Sequence, residues 1–189
     1  MLITYEIELK NTDDIKQNPF LGSLLHGVIQ ESIDPAYADL LHQQGLKPYS
    51  QYLYYNKDKN AYCWKISTVA THAVENIIHK LENTVNGKIH VTYKNLDLLT
   101  STKQITQNTD YKALSEKYFI HEPLKRKLKL QFVTPTSFKS GGNYTIFPEI
   151  GHIYQSLLNK WNTFATDVSL QDENLLQDLT QNTRINGYD

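Results

Sequence analysis

Two histidines near the start of the chain, His26 and His42, are the residues whose type best suits catalysis. An imidazole titrates near pH ~6.5, so a pair of histidines can supply both a base and an acid at neutral pH. Since the chain holds seven histidines, two that lie near one another in sequence are not evidence by themselves. The other five are expected to be structural or surface residues: His72, His79, His90, His121 and His152.

The segments that have to position this pair follow a recognisable order. Alternating apolar residues predict a strand over 2–9, and Pro19 is predicted to open a helix. Asp34 and Pro35 are typical of a helix N-cap and first turn, and they predict a second short helix that ends near His42. Strands over 51–55 and 61–67, a helix over 69–81 and a strand over 88–99 are predicted to follow. This order is ferredoxin-like, with two helices on one face of an antiparallel sheet.

The first of these helices carries an apolar stripe beside His26. The stripe comprises Phe20, Leu24, Val28 and Ile29 at helical spacing, widened by Leu21 and Leu25. His26 lies off its centre, a position that fits a solvated side chain as well as a catalytic one.

The second half of the chain begins like the first but has fewer predicted strands. Residues 101–123 are predicted to be a linker between a domain over 1–100 and a partial domain over 124–189. A strand from Leu124 to Val133, a turn near Gly141 and a helix over 150–164 are predicted, with a further short helix over 172–182. We therefore expect either a shortened chain or a partner that supplies the remaining strands.

Basic residues are concentrated in the first part of that second half. They are Lys125, Arg126, Lys127, Lys129 and Lys139. Two interpretations are open. Alternating lysines are typical of an exposed edge strand that avoids aggregation, and they also suit contact with the phosphates of a nucleic acid.

The composition favours an ordinary folded protein. The 189 residues are 40% hydrophobic, and 19 basic residues nearly balance 20 acidic ones. This balance argues mildly against a nucleic-acid-binding surface over the whole chain. A single cysteine, Cys63, excludes an intrachain disulfide and is expected to be an inert buried thiol. Without a signal peptide or an apolar run of about 20 residues, a cytoplasmic protein with no membrane contact is expected.

Several of these segments together resemble one known family. They are the Leu25-His26-Gly27 helix, Leu41-His42, Pro135-Thr136-Ser137-Phe138, and Tyr144 with Phe147-Pro148. Their order and spacing are similar to those of the CRISPR repeat-processing endoribonucleases of the Cas6 family, and most similar to staphylococcal-type members. The resemblance implies an α+β fold of tandem ferredoxin-like (RAMP) domains, of which the second is incomplete here. The family's glycine-rich loop between its last strands has no counterpart in this sequence.

The resemblance also implies an activity. Family members cleave precursor CRISPR RNA within each repeat without a metal or cofactor, and they release guide RNA to an interference complex in antiviral defence. The family positions fall on His26 and His42 as the acid–base pair, in either order, and on Lys47 as the stabiliser of phosphate charge. Some relatives use a tyrosine one turn beyond His26, where this chain has Gln30, so Tyr37 or Tyr49 would have to substitute for it.

The remaining expectations concern partners and alternatives. Lys125, Arg126, Lys127, Lys129 and Lys139 are expected to contact repeat RNA, and Tyr144 is expected to stack on a base. A homodimer and binding to interference-complex subunits are both left open. The alternative functions are an inactive RNA-binding member of the same fold and a protein-docking member that uses its unfinished second domain.

Overall fold

The computed structural model describes residues 1–10, 15–16, 20–123, 125–140 and 142–188. The predicted starting points of a helix at Pro19 and of a strand at Leu124 lie outside the described residues, as does Gly141. The chain divides into two compact units, Met1–Asp110 and Tyr111–Asp189. Within the described part of the chain, no helix has both the length and the apolarity needed to cross a membrane.

The first unit is a five-stranded antiparallel sheet with helices packed on it. Its elements are β1 (Leu2–Leu9), α1 (Leu21–Ser32), α2 (Pro35–His42), β2 (Tyr49–Asn56), β3 (Ala61–Thr68), α3 (Thr71–Ala73, the π-helical Val74–Ile78 and His79–Thr84), β4 (Lys88–Val91) and β5 (Leu96–Thr109). The sheet order is β2-β3-β1-β5-β4. With β4 as an added edge strand, this is the predicted ferredoxin-like arrangement, in which β1 lies between β3 and β5.

The last long strand lies further along the chain than the sequence predicts. β5 pairs with β1 from Leu2↔Thr109 to Leu9↔Thr100, so 101–109 belong to the sheet and the predicted linker over 101–123 is wrong for these residues. The predicted strand over 88–99 is divided between β4 and the start of β5. Because most side chains of 101–109 are exposed, the segment shows no apolar alternation, and its backbone pairing with β1 defines the strand.

The core lies between the sheet and its helices. Ile7 of β1, Trp64 of β3 and Leu25 of α1 are each 0% exposed. On α1 the buried residues are Leu21, Leu25, Val28 and Ile29, which confirms most of the predicted stripe. Phe20, however, is 77% exposed, so its predicted place in the stripe is wrong. It precedes the first residue of α1 and does not share the buried face.

In its described residues, the second unit contains helices and one short hairpin. Its elements are α4 (Tyr111–Ser115), a π-helical continuation (Glu116–His121), β6 (Phe138–Ser140), β7 (Asn143–Thr145), α5 (Ile150–Phe164) and α6 (Leu175–Gln181). The predicted helix over 150–164 is confirmed. The predicted strand from Leu124 to Val133 is wrong for 125–133, which form neither helix nor strand. Among the described residues, no neighbouring strand forms backbone hydrogen bonds with that segment. A strand requires such a neighbour for its backbone N–H and C=O groups.

Candidate active site

His26 lies at the edge between the buried and the solvated faces of α1. Its neighbour Leu25 is fully buried, whereas the His26 side chain is exposed. The apolar stripe therefore fixes the rotation of the helix about its axis and leaves the imidazole beside the core. This position keeps one side of the ring packed while the other side meets solvent.

The partner of His26 is a tyrosine from the first position of β2. The hydroxyl oxygen of Tyr49 lies 3.0 Å from Nε2 of His26. Their ring planes are nearly parallel at 22°, with centroids 6.2 Å apart. Gln30, one turn further along α1, donates from Nε2 to the same hydroxyl at 3.2 Å. A single phenol thus connects two positions of one helix face.

Backbone and side-chain bonds hold the tyrosine in this place. Tyr49 pairs with Thr68 of β3, which sets its register at the start of β2. Two residues further, Gln51 donates from Nε2 to the carbonyl oxygen of Gly22 at 2.8 Å, and it accepts from the Trp64 indole at 2.8 Å. These bonds tie β2 to α1 one turn before His26.

His42 contributes to the electrostatic environment of His26. It is the last residue of α2, whose N-cap Asp34 accepts from the backbone N–H of Ala36 at 2.9 Å, as the sequence predicts. Burial lowers the pKa of His26 below its ordinary value of 6.5, and the positive charge of His42 lowers this pKa further. A lower pKa favours the neutral imidazole at neutral pH.

Lys47, the third predicted catalytic residue, has a local contact. Its ammonium group donates to the carbonyl oxygen of Gln43, the C-cap residue that follows α2. A cation at this position complements the negative end of the helix dipole. The contact places the lysine charge at the C-terminal end of α2, where His42 also lies.

The two tyrosines that the sequence leaves as candidates have different partners. Tyr49 contacts His26, whereas the Tyr37 hydroxyl lies 2.9 Å from Nδ1 of His72. Tyr37 is therefore engaged at the start of α3. Sequence reasoning assigned no role to Gln30 beyond marking the lack of a tyrosine there, and only the fold shows that Gln30 and Tyr49 converge.

The predicted RNA-binding residues are exposed side chains of the second unit. Lys125 forms an ion pair with Glu122 at 3.3 Å. Lys139 and Tyr144 are directly paired across β6 and β7, and the ammonium group lies 5.6 Å from the centre of the tyrosine ring. These two predicted residues are brought together, whereas Lys125, Arg126, Lys127 and Lys129 lie on the segment that forms no strand.

Two further expectations concern cysteine and metal. Cys63 is 0% exposed, and burial raises the pKa of its thiol, which confirms an inert buried residue. Among the residues that the structure describes, no group of three or more histidine, cysteine, aspartate or glutamate side chains is arranged to hold a metal ion.

The fold defines a class of protein: an α+β chain with a ferredoxin-like unit whose first helix carries His26. Residues 130–184 match the family model described as CRISPR-associated endoribonuclease Cas6. The chain is 29% identical over 170 residues to the CRISPR-associated endoribonuclease Cas6 of Mycobacterium tuberculosis, covering 89% of this chain and 52% of that protein. It is 28% identical over 181 residues to the protein of the same name from Streptococcus thermophilus, covering 66% of that one.

A solved structure agrees at the level of the fold. A Thermus thermophilus Cas6 in a product complex has a TM-score of 0.72 and 19% identity, covering 96% of this chain and 72% of that one. The family model and the curated relatives thus show that the chain is similar to CRISPR-associated endoribonucleases named Cas6. The chain spans about half the length of the mycobacterial relative and about two thirds of the streptococcal one.

Proposed function

We propose that this chain is an endoribonuclease that cleaves precursor CRISPR RNA within its repeats and needs no metal ion. The observation that carries the proposal is the exposed imidazole of His26 on the first helix of the ferredoxin-like unit, with its Nε2 atom 3.0 Å from the Tyr49 hydroxyl. The curated relatives, which are named as Cas6 endoribonucleases, supply the reaction class. The likeness to staphylococcal-type members stays a prediction.

The proposed reaction uses the RNA itself as nucleophile. One histidine of the pair removes the proton of a ribose 2′-OH, whose oxygen then attacks the adjacent phosphorus. The other histidine donates a proton to the departing 5′-oxygen. The products are a 2′,3′-cyclic phosphate and a 5′-OH end, so the cleavage consumes no water molecule.

Charge develops on the phosphate during the attack and requires a cation. Lys47 is proposed for this role, since a positioned ammonium group stabilises a phosphorane. To reach the phosphate its ammonium group has to leave the carbonyl oxygen of Gln43. Water can then donate a hydrogen bond to that carbonyl oxygen, because this end of α2 is exposed.

The second unit is proposed to hold the RNA. The exposed basic residues of 125–139 suit phosphate contacts, which position the substrate without reading its sequence. The Tyr144 ring is 70% exposed and is available to stack on a base. Repeat RNA is thus the proposed partner of both units, while a homodimer and interference-complex subunits stay open.

The experiment is cleavage of repeat RNA from the genome that encodes this chain, carried out in EDTA with analysis of the product ends. The proposal expects two products, one ending in a cyclic phosphate and the other beginning with a 5′-OH. A matched RNA with a 2′-deoxyribose at the cut nucleotide should bind equally well and stay intact. Cleavage of this deoxy substrate, or cleavage that requires added Mg²⁺, would contradict the mechanism.

The same assay separates the alternative functions. Repeat binding without any product would favour an inactive RNA-binding member. A steep loss of that binding with salt is expected from phosphate contacts. If the chain neither binds nor cleaves the repeat, the protein-docking alternative remains.

A further inference from the structure

We propose that Tyr49 is a positioning residue, and that together with Gln30 it fixes the tautomer of His26 so that Nδ1 is the ring nitrogen presented to the RNA. This inference rests on the proposed function for its use in cleavage. Its structural part concerns the protein alone and can be tested without RNA.

The direction of the hydrogen-bond chain sets the proton positions. Gln30 donates an amide hydrogen to the Tyr49 oxygen, which occupies an acceptor site of that hydroxyl. The Tyr49 proton is then directed at Nε2 of His26, 3.0 Å away. A neutral imidazole that accepts at Nε2 carries its own proton on Nδ1, because the partner of one ring nitrogen determines the state of the other.

The second ring nitrogen is left for another molecule. Among the described residues, none forms a hydrogen bond with Nδ1 of His26. With Nε2 held by Tyr49 and the two rings stacked, rotation of the imidazole would break a hydrogen bond and a ring contact together. Only Nδ1 therefore remains to meet a substrate. It carries a proton in both the neutral and the charged ring, so it acts towards the RNA as a donor and not as the base.

The amide of Gln30 allows the hydrogen bonds among Gln30, Tyr49 and His26 to persist when the charge of His26 changes. Its Oε1 atom is buried and has no hydrogen-bond partner among the described residues. When His26 is protonated, Nε2–H donates to Tyr49. Rotation of the amide then offers Oε1 to accept the Tyr49 proton. The glutamine side chain supplies a separate donor and acceptor at this position.

A purely structural role for Tyr49 predicts a different behaviour. Gln51 also ties β2 to α1, through Gly22, but it does not touch His26. If the tyrosine only held the strand against the helix, replacement of Gln51 would have the same effect on His26 as removal of the Tyr49 hydroxyl. The variant Gln51→Met is therefore the matched control.

The first test is nitrogen-15 NMR of the His26 ring in the free protein, with the signal assigned by its loss in His26→Gln. The wild type should be mainly the Nδ1–H tautomer above the pKa of His26, and so should Gln51→Met. Tyr49→Phe should lower this population by removing the donor to Nε2. Gln30→Glu should reverse it, because a carboxylate only accepts and turns the Tyr49 proton away from His26. Unchanged tautomers in both Tyr49→Phe and Gln30→Glu would overturn the inference.

The second test is the single-turnover rate of repeat cleavage at saturating RNA. Tyr49→Phe should slow it about tenfold, since a misplaced catalytic group reduces the rate without reducing binding. Its pH profile should shift, while Gln51→Met should keep the wild-type profile. An equal loss in both variants would overturn the positioning role. The wild type could fail to cleave RNA while Tyr49→Phe and Gln30→Glu still change the tautomer of His26. That result would support the tautomer assignment and contradict only the proposed function.

Discussion

Tyr49 follows His26 by 23 positions in the chain, yet the tyrosine hydroxyl lies 3.0 Å from Nε2 of the imidazole. The contact joins the first helix of the ferredoxin-like unit to the first residue of β2. It brings a phenol to the catalytic candidate from a strand, whereas some relatives use a tyrosine of the helix at the position where this chain has Gln30. The site is therefore a product of how α1 lies along β2.

Replacement of His42 should change the titration of His26. Burial lowers the pKa of His26 below 6.5, and the charge of His42 lowers it further. In His42→Gln the charge is absent while the burial persists, so the pKa should rise part of the way towards 6.5. NMR titration of the His26 ring measures this shift. An unchanged pKa would show that the two histidines are too far apart to act together.

The same lowered pKa gives a stability prediction. The unfolded chain, with His26 titrating near 6.5, takes up a proton before the folded chain does as the pH falls. The folded state should therefore lose stability as the pH falls through about 6.5, and this loss should be complete below the folded pKa. In urea unfolding, His26→Gln should lose less stability than the wild type between pH 7.5 and 5. An identical loss would contradict the shift.

Removal of the Tyr54 hydroxyl should destabilise the central strand. Glu6 of β1 is 5% exposed and accepts from Tyr54 at 2.7 Å and from Lys59 at 2.9 Å. Loss of a hydrogen bond to a buried carboxylate costs about 1–3 kcal/mol, and this is the expected decrease for Tyr54→Phe in urea unfolding at pH 7. Tyr52→Phe is the control, because its hydroxyl has no hydrogen bond among the described residues.

This effect should depend on pH. Burial raises the pKa of Glu6, but the hydrogen bonds and the charge of Lys59 outweigh burial, and the net pKa lies below its ordinary value of 4.5. The contribution to stability is present above that value and is lost as the pH falls through the folded pKa. The difference between Tyr54→Phe and the wild type should therefore shrink in acid. A difference that is constant with pH would contradict the ionised carboxylate.

Gly27, next to His26, should report the approach of RNA to α1. Nothing lies within 4 Å of a Cβ placed at Gly27 or at Gly22, so both positions accept alanine. Each replacement should stabilise the helix, by up to about 1 kcal/mol. If RNA passes close to His26, Gly27→Ala should reduce cleavage while Gly22→Ala should not. Equal cleavage by both variants would contradict a close approach of RNA to α1 at Gly27.

Lys139 should contribute to RNA affinity through a phosphate. It is exposed and lies over the Tyr144 ring in the β6–β7 hairpin. Lys139→Ala should weaken repeat binding and reduce the salt dependence of the affinity by about one phosphate contact. Lys57→Ala, at the exposed tip of the β2–β3 hairpin, is the control. The same loss for both lysines would indicate only a change in net charge.

Sequence patterns predicted those parts of the fold in which burial and local structure coincide. The helix Ile150–Phe164 and the N-cap of α2 are examples, since periodicity and capping chemistry are local. The strand over 101–109 was missed because its side chains are exposed, and only pairing with β1 makes it a strand. Residues 125–133 have a strand-like sequence but no partner strand among the described residues.

The candidate site shows the same division. The histidines could be named because their chemistry is intrinsic to the residue type. Tyr37 and Tyr49 are the two tyrosines that the sequence leaves open, and the choice of Tyr49 as the contact of His26 depends on the register of β2 against β3 and on the rotation of α1 about its axis. Gln30 carries no chemical signal in the sequence and acquires its role only through that contact.

The most direct test of the central claim is the single-turnover cleavage rate of repeat RNA in EDTA by the wild type, His26→Ala and His79→Ala. His79 is an exposed histidine of α3 and serves as the matched control. Loss of a proton-transfer group should slow His26→Ala by about 10²–10⁴-fold, with RNA affinity retained, while His79→Ala should cleave at the wild-type rate. A His26→Ala protein that cleaves as fast as the wild type would contradict the assignment of His26 to catalysis.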